Sequence, residues 1–173
     1  GLKKISYSQY SLWKQCPYQW KLQYVDGIKD YTDSIYTMFG TSMHEVIQTF
    51  LTVMYNDTAK MAEALPLEDM LLTRMKRNFE SVLETNGGEM FCTEKDMVEF
   101  YQHGVEILKF IKKRRAQYFS KKGYELVGIE VPLNYDLPNN IKFVGYIDIV
   151  IKDTVRDVIK IYDIKTSTMG WNK

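Results

Sequence analysis

The chain has 173 residues, which is enough for one domain with a sizeable hydrophobic core. Its formal net charge of +1 excludes the strongly basic composition of many nucleic-acid-binding domains, although a local basic face would be sufficient for binding. No apolar run approaches the roughly 18 residues of a membrane-spanning helix, so we expect no membrane partner. The two cysteines, Cys16 and Cys92, fit neither a disulfide framework nor a metal-ligand spacing, and we expect free thiols in a reducing cytoplasm.

Before Tyr124 the apolar residues recur at three- and four-residue steps, which predicts amphipathic helices. Ser6 or Ser8 can cap the first helix, and Cys16-Pro17 interrupts it. Asn86-Gly87-Gly88 is expected to stop the third helix, and Thr93 with Asp96 resembles a capping arrangement for the fourth. The predicted second, third and fourth helices run from about Met38 to Met54, from about Pro66 to Leu83 and from about Thr93 to Lys121.

After Tyr124 the pattern changes to alternation and β-branched residues, which favours strands. The predicted strands are Tyr124 to Tyr135, Ile141 to Lys152 and Val158 to Lys165. Because the links between them are short, we expect a three-stranded antiparallel meander. Helices followed by a small sheet predict an α+β fold in one domain over residues 1–173, mainly helical in 1–122 and with the sheet in 123–167.

Two predicted strands carry carboxylates in apolar surroundings. Asp163 and Lys165 are two residues apart, so both should project from one strand face, where they could hold a metal and a water or form a plain ion pair. Asp148 interrupts an apolar run, and burial of a lone carboxylate is costly unless a cation or hydrogen bonds neutralise it. Neighbouring strands lie about 5 Å apart, so the two aspartates could share one hard cation such as Mg²⁺.

A metal there would make a bound water more acidic and able to attack phosphorus, and Lys165 could orient that water or balance the phosphate charge. Glu130 is a further candidate ligand or water-holding group, and an ordinary exposed glutamate is the alternative. His44 falls on the apolar side of the second helix, either as a core residue or as a ligand. Gly40, one turn earlier, would let a phosphate or another backbone come close.

Basic residues form two groups that could follow a phosphate backbone, although solvated helix faces explain them equally well. The first group comprises Lys109, Lys112, Lys113, Arg114, Arg115, Lys121 and Lys122, and the second comprises Arg74, Lys76 and Arg77.

Four short motifs follow one another along the chain. They are Ser-x-Tyr-x-Leu-Trp-x-x-Cys-Pro from Ser8, Gly-x-x-x-His from Gly40 to His44, Gly-Tyr-Ile-Asp from Gly145 to Asp148, and Asp-Ile-Lys-Thr-Ser from Asp163 to Ser167. In this order they resemble the RecB-like branch of the PD-(D/E)XK nucleases, which includes bacterial recombination helicase-nucleases, CRISPR adaptation exonucleases and phage exonucleases. The resemblance spans nearly the whole chain and implies a restriction-endonuclease-like core.

The resemblance implies that Mg²⁺ or Mn²⁺ is held by His44, Asp148, Asp163 and the carbonyl of Ile164, and that Lys165 is the catalytic lysine. With Glu130 added from its position in the first predicted strand, the candidate catalytic set is Asp148, Asp163, Lys165 and Glu130. The expected substrate-binding residues are Gly40, Ser42, Thr166, Ser167, Lys112 and Arg115. The implied activity is exonucleolytic cleavage of DNA, on single strands or duplex ends, in recombination, repair or phage DNA processing. We expect it in the cytoplasm of a bacterial or phage-infected host cell, with a helicase or recombination protein as partner. The alternative is a catalytically inactive binding module on the same fold.

The sequence departs from this family pattern in two ways. Members continue past the Asp-x-Lys strand into a helix carrying Gln-x-x-x-Tyr and a further strand, so a chain ending at Lys173 is expected to hold a domain incomplete at its C-terminus. Some relatives bind an iron-sulfur cluster through a cysteine placed like Cys16 and three cysteines near the C-terminus. Those three are absent from this sequence, so no cluster is expected.

Overall fold

In the computed structural model the described residues are 3–28 and 34–165. Within these ranges the chain forms six helices and four strands. In chain order they are β1 (Lys3–Ser6), α1 (Tyr7–Gln15), α2 (Pro17–Tyr24), α3 (Ile35–Asn56), α4 (Ala59–Glu63), α5 (Leu67–Thr85), α6 (Glu94–Tyr118), β2 (Tyr124–Leu137), β3 (Ile141–Asp153) and β4 (Val158–Tyr162). None of the described helices is long and apolar enough to cross a membrane. The mixed α+β composition is consistent with a restriction-endonuclease-like fold.

The described residues divide into two compact units. The first contains residues 3–28, 127–150 and 161–163, and therefore β1, α1, α2 and most of β2 and β3. The second contains residues 34–126, 151–160 and 164–165, and therefore helices α3 to α6.

The core of the second unit is built on α3, whose apolar residues recur at helical spacing as the sequence predicts. α3 packs against α4, α5 and α6. The buried residues of α3 include Met38, Phe39, Met43, Val46, Ile47, Phe50, Leu51 and Met54. From α5 and α6 the buried apolar side chains are Leu67, Leu71, Met75, Val82, Val105 and Leu108. This core stabilises α3, the helix that carries the Gly-x-x-x-His motif.

Gly104 lies where α6 packs tightly against α3 and α5. A Cβ atom at this position would lie 2.5 Å from Leu71 Cδ2, and 3.1 Å from both Met43 Sδ and Phe39 Cε2. Since Leu71, Met43 and Phe39 are all buried, only a residue without a side chain fits there.

The predicted helix starts agree with the structure at two caps. The Ser6 hydroxyl accepts a hydrogen bond from the Gln9 amide, and Thr93 and Asp96 form a complete capping box at the start of α6. The predicted interruption at Cys16-Pro17 separates α1 from α2, with Pro17 in the first turn of α2.

The sheet differs from the predicted three-stranded meander, because a fourth strand joins it at the N-terminus. β3 pairs with β1, with β2 and with β4. β1 runs parallel to β3, with Lys3 opposite Ile141 and Ser6 opposite Val144. The sequence predicts only a helix cap at Ser6 or Ser8 in this region. A four-residue strand gives little sequence signal, and its pairing partner lies far along the chain.

The first predicted strand ends at Tyr135, but β2 continues to Leu137. The turn between β2 and β3 therefore comprises only residues 138–140. Asn139 and Asn140 have φ of 63° and 57°, a left-handed backbone that asparagine tolerates well. The prediction that the third strand extends to Lys165 is wrong, because β4 ends at Tyr162.

Candidate active site

His44 contributes the best-defined contact among the candidate residues. It lies on α3 between buried Met43 and partly buried Glu45, and its own side chain is half-buried. The Nε2 atom lies 2.8 Å from the main-chain carbonyl oxygen of Ile164. As the carbonyl can only accept, the imidazole N–H donates this hydrogen bond. Both residues belong to the second unit.

Residues 163–165 lie after the end of β4, and the Ile164 carbonyl is hydrogen-bonded there to the His44 imidazole. The prediction that Asp163 and Lys165 lie within a strand is therefore wrong, whereas the prediction that their side chains project from one face stays a prediction. Asp163 and Lys165 are both exposed, and Ile164 between them is half-buried.

The His44 and Ile164 pair has donor atoms suited to a divalent metal. Two ligands at right angles around an octahedral ion, each about 2.1 Å from it, lie about 3 Å apart. The 2.8 Å between Nε2 and the carbonyl oxygen is close to that separation. A neutral imidazole with its proton on Nδ1 would present the Nε2 lone pair to a metal, so the residues present fit the implied ion.

Asp148 lies on β3 in the first unit and is half-buried, next to the buried Ile149 and Val150. Residues two apart on a strand project from the same face, so Tyr146 shares the face of Asp148. The Tyr146 side chain is 76% exposed. The sequence shows Tyr146 only as part of the Gly-Tyr-Ile-Asp motif. Nothing in the sequence alone distinguishes an exposed tyrosine ring from one buried in the core.

A second carboxylate on β3, Asp153, is more deeply buried and has a structural explanation. It is 3% exposed, and its Oδ1 accepts hydrogen bonds of 3.1 Å from the Val155 and Arg156 amides. By accepting these two hydrogen bonds, the buried carboxylate stabilises the turn that leads into β4.

Glu130 occupies an irregular position in β2. Its φ is 50°, which is rare for a residue with a long side chain and indicates a local interruption of the strand. Gly128 precedes it, and a Cβ atom there would lie 2.7 Å from Val131 Cγ2. The Glu130 side chain is exposed. A glycine inside a strand pattern was the sequence signal for such an irregularity.

Two of the predicted substrate-binding residues lie within α3. Gly40 is half-buried, whereas Ser42 is fully buried. The Ser42 hydroxyl donates to the Met38 carbonyl at 2.8 Å and accepts from Asn78 Nδ2 at 2.9 Å. Ser42 thus links α3 to α5, and both of its hydrogen-bonding roles are occupied within the protein.

Lys112 and Arg115 on α6 both bond to Glu63 at the end of α4. Arg115 donates to the Glu63 carboxylate through Nε at 3.0 Å and Nη2 at 2.6 Å, and Lys112 donates to the Glu63 carbonyl at 2.9 Å. A contact with substrate would compete with these bonds. Thr166 and Ser167, also predicted to bind substrate, lie outside the described residues.

The second basic group is partly occupied as well. Arg77 bonds to the Glu45 carboxylate at 2.6 Å, and Arg74 lies 3.5 Å from the same oxygen. Glu45 directly follows His44 on α3, so these arginines neutralise the carboxylate that is next to the candidate metal ligand in the sequence.

Across residues 3–28 and 34–165, no group of three or more His, Cys, Asp or Glu side chains lies close enough together to hold a metal ion. Within the implied ligand set, His44 and the Ile164 carbonyl lie within hydrogen-bonding distance of each other.

Comparison with protein families gives one assignment. The profile of the PD-(D/E)XK nuclease superfamily matches residues 4–172. The chain therefore belongs to the PD-(D/E)XK nuclease superfamily. No curated protein matched the chain, and no solved structure matched it.

Proposed function

We propose that this protein is a divalent-metal-dependent DNA exonuclease of the RecB-like branch. Membership of the superfamily supports the nuclease class, whose members typically cleave phosphodiester bonds with Mg²⁺ or Mn²⁺. The branch rests on the four ordered motifs. The observation that carries the proposal is the 2.8 Å contact between His44 Nε2 and the Ile164 carbonyl, since these two groups belong to motifs far apart in the sequence.

In this proposal His44, Asp148, Asp163 and the Ile164 carbonyl hold the metal. Bound there, Mg²⁺ or Mn²⁺ would polarise the scissile phosphate and acidify a water molecule. The Lys165 ammonium holds the attacking water or balances charge on the phosphate, and Glu130 is the additional group that can hold a water.

The remaining proposed contacts concern substrate and setting. Gly40, Ser42, Lys112, Arg115, Thr166 and Ser167 stay proposed substrate-binding residues. The internal bonds of Ser42, Lys112 and Arg115 make them the weaker members of this set. We place the activity in DNA recombination, repair or phage DNA processing, in the cytoplasm of a bacterial or phage-infected cell and alongside a helicase or recombination partner.

The test is cleavage of end-labelled single-stranded and duplex DNA in Mn²⁺, Mg²⁺ or EDTA. Asp163→Asn and Lys165→Ala are expected to reduce the metal-dependent rate by roughly a hundred-fold or more. Asp157→Asn is the matched control, because Asp157 is an exposed carboxylate in the turn before β4 and asparagine tolerates its φ of 54°.

A ladder of products shortened from one end would establish exonuclease action and its polarity. If the wild-type protein binds DNA but leaves it intact in every metal, the inactive binding module replaces this proposal. Equal loss of activity in Asp157→Asn and Asp163→Asn would also count against the assigned roles.

A further inference from the structure

A cleft of about 580 Å³ opens within the first unit, beside the part of β3 where the Gly-Tyr-Ile-Asp motif begins. Its walls come from β1, the first turn of α1 and the middle of β2 and β3. The lining residues that carry the argument are Lys4, Ser6, Tyr7, Val144, Gly145 and Tyr146.

The pairing of β1 with β3 places several of these side chains on one sheet face. Lys4 is opposite Lys142, and Ser6 is opposite Val144. Opposite residues in a sheet project to the same side, as do residues two apart along a strand. Lys4 and Lys142 therefore share a face with Tyr146, and Asp148 follows Tyr146 on that face.

The two tyrosines in the cleft contribute little to the core. Tyr7 is 68% exposed and Tyr146 is 76% exposed. Because both rings are largely exposed and line the same cleft, their faces are accessible to a ligand that enters it. Flat aromatic rings beside a groove are the usual platform on which unpaired bases stack.

The charge of the cleft fits a polyanion. Lys4 is the charged residue among those that line it, and no carboxylate is among them. Lys142 lies opposite Lys4 on the same sheet face. Its Nζ atom is 3.4 Å from Oδ1 of Asp136, whose side chain is largely exposed. Backbone phosphates can therefore bind near Lys4 and Lys142 while bases stack on Tyr7 and Tyr146.

We propose that this cleft binds unpaired bases of a nucleic-acid strand, with Tyr7 and Tyr146 as stacking platforms and Lys4 at a backbone phosphate. Single strands are favoured over duplex because the faces of paired bases are covered by their neighbours. Residues two apart on a strand are separated by about 7 Å, so a base on Tyr146 brings the adjoining backbone towards Asp148. The inference rests on the proposed nuclease function, and it names the substrate as single-stranded.

The test is binding in EDTA, where no cleavage occurs, measured by fluorescence anisotropy. The probes are a short labelled oligothymidylate, an abasic strand of the same length and a blunt duplex of the same length. The oligothymidylate is expected to bind most tightly. Tyr7→Ala and Tyr146→Ala should each weaken its binding on the order of ten-fold, while Tyr146→Phe keeps the ring and the affinity. Lys4→Ala should reduce the slope of log K against log salt by about 0.7.

Tyr18→Ala is the matched control. Tyr18 is 69% exposed in the first turn of α2, as Tyr7 is in the first turn of α1, but it does not line the cleft. Its substitution should leave binding unchanged. Tyr146→Leu provides a second, apolar replacement that lacks a ring. All five tyrosine variants are judged only after their unfolding temperatures match that of the wild type.

Equal affinity for the abasic strand, tighter binding of the duplex, or unchanged binding by both alanine variants would overturn the proposal. The same samples in Mn²⁺ separate it from the nuclease proposal. Base-dependent binding without cleavage would retain the cleft and reject the nuclease, whereas cleavage unaffected by Tyr7→Ala and Tyr146→Ala would retain the nuclease and reject the cleft.

Discussion

His44 Nε2 and the carbonyl oxygen of Ile164 lie 2.8 Å apart, although the two residues are 120 positions apart in the chain. The contact joins the helix that carries the Gly-x-x-x-His motif to the segment that carries Asp-Ile-Lys. Two motifs that are far apart in the sequence are therefore in direct contact in the structure. For this reason His44 is the first side chain to substitute.

His44→Ala should weaken Mn²⁺ binding more than Mg²⁺ binding, because Mg²⁺ prefers oxygen ligands and depends less on an imidazole. Isothermal titration calorimetry with each metal measures the difference. At a hundred-fold excess over its dissociation constant, a bound metal raises the unfolding free energy by about 2.7 kcal/mol, so the Mn²⁺-induced rise in Tm should also shrink. His103→Ala, on the exposed face of α6, is the control. An unchanged Mn²⁺ affinity in His44→Ala would remove this residue from the ligand set.

Gly104→Ala should destabilise the protein, although alanine is the better helix former. The gain in helix propensity is about 1 kcal/mol, whereas overpacking a core costs about 1–3 kcal/mol. The added methyl group would lie 2.5 Å from Leu71 Cδ2, and Leu71 is fully buried. Urea unfolding of the variant beside His103→Ala measures the balance. A stabilised Gly104→Ala protein would contradict this packing of α6.

Asp153→Ala should lower the unfolding free energy by about 1–3 kcal/mol, since the Val155 and Arg156 amides lose their shared acceptor. Asp153→Asn keeps a carbonyl oxygen and should lose less. Denaturant titration compares the two variants, and a cleavage assay below their unfolding temperatures should find metal dependence intact. Loss of cleavage in folded Asp153→Asn would instead assign this carboxylate to the active site.

Asp96→Asn should change stability in a pH-dependent way. The Thr93 main-chain N–H and then the Thr93 hydroxyl, both hydrogen-bonded to the carboxylate, hold the pKa of Asp96 below its ordinary value of 3.8. Since the pKa is lower in the folded protein, the carboxylate contributes stability above pH 3.8 that is lost as the pH falls through the lowered value. Unfolding experiments from neutral pH downwards should show the wild type losing its advantage over Asp96→Asn in that window.

The control for this comparison is Glu99→Gln, which removes an exposed carboxylate from the same helix and should have a small effect at every pH. A difference between wild type and Asp96→Asn that persists unchanged below the ordinary pKa would contradict the capping explanation.

Periodicity and caps were sufficient to predict the three long helices α3, α5 and α6, whereas the five-residue helix α4 (Ala59–Glu63) was not predicted. The apolar spacing of α3 predicted both its helical state and its buried face, and the Thr93 and Asp96 pattern predicted the start of α6. These signals are local, because each depends on residues within one or two turns of one another. The three strands after Tyr124 were predicted for the same reason.

Features that depend on distant partners were not predicted. β1 is a strand because β3 lies beside it, and the four residues Lys3–Ser6 carry no strong pattern of their own. β4 ends at Tyr162, and the Ile164 carbonyl beyond it bonds to His44, a partner that no property of residues 158–165 reveals. The candidate residues were named from spacing and resemblance. The burial of Ser42 and the bonds of Arg115 to Glu63 depend on residues far away in the sequence, which no local pattern reveals.

The parallel pairing of β1 with β3 also bears on the order in which the protein folds. Lys3 meets Ile141, so closing this contact requires nearly the whole intervening chain to be in place, and long loops close slowly. During synthesis β1 leaves the ribosome long before β3 exists, whereas α3, α5 and α6 can associate as soon as they emerge. β1 is therefore made before helices α3 to α6 but can pair only after β3 has followed them.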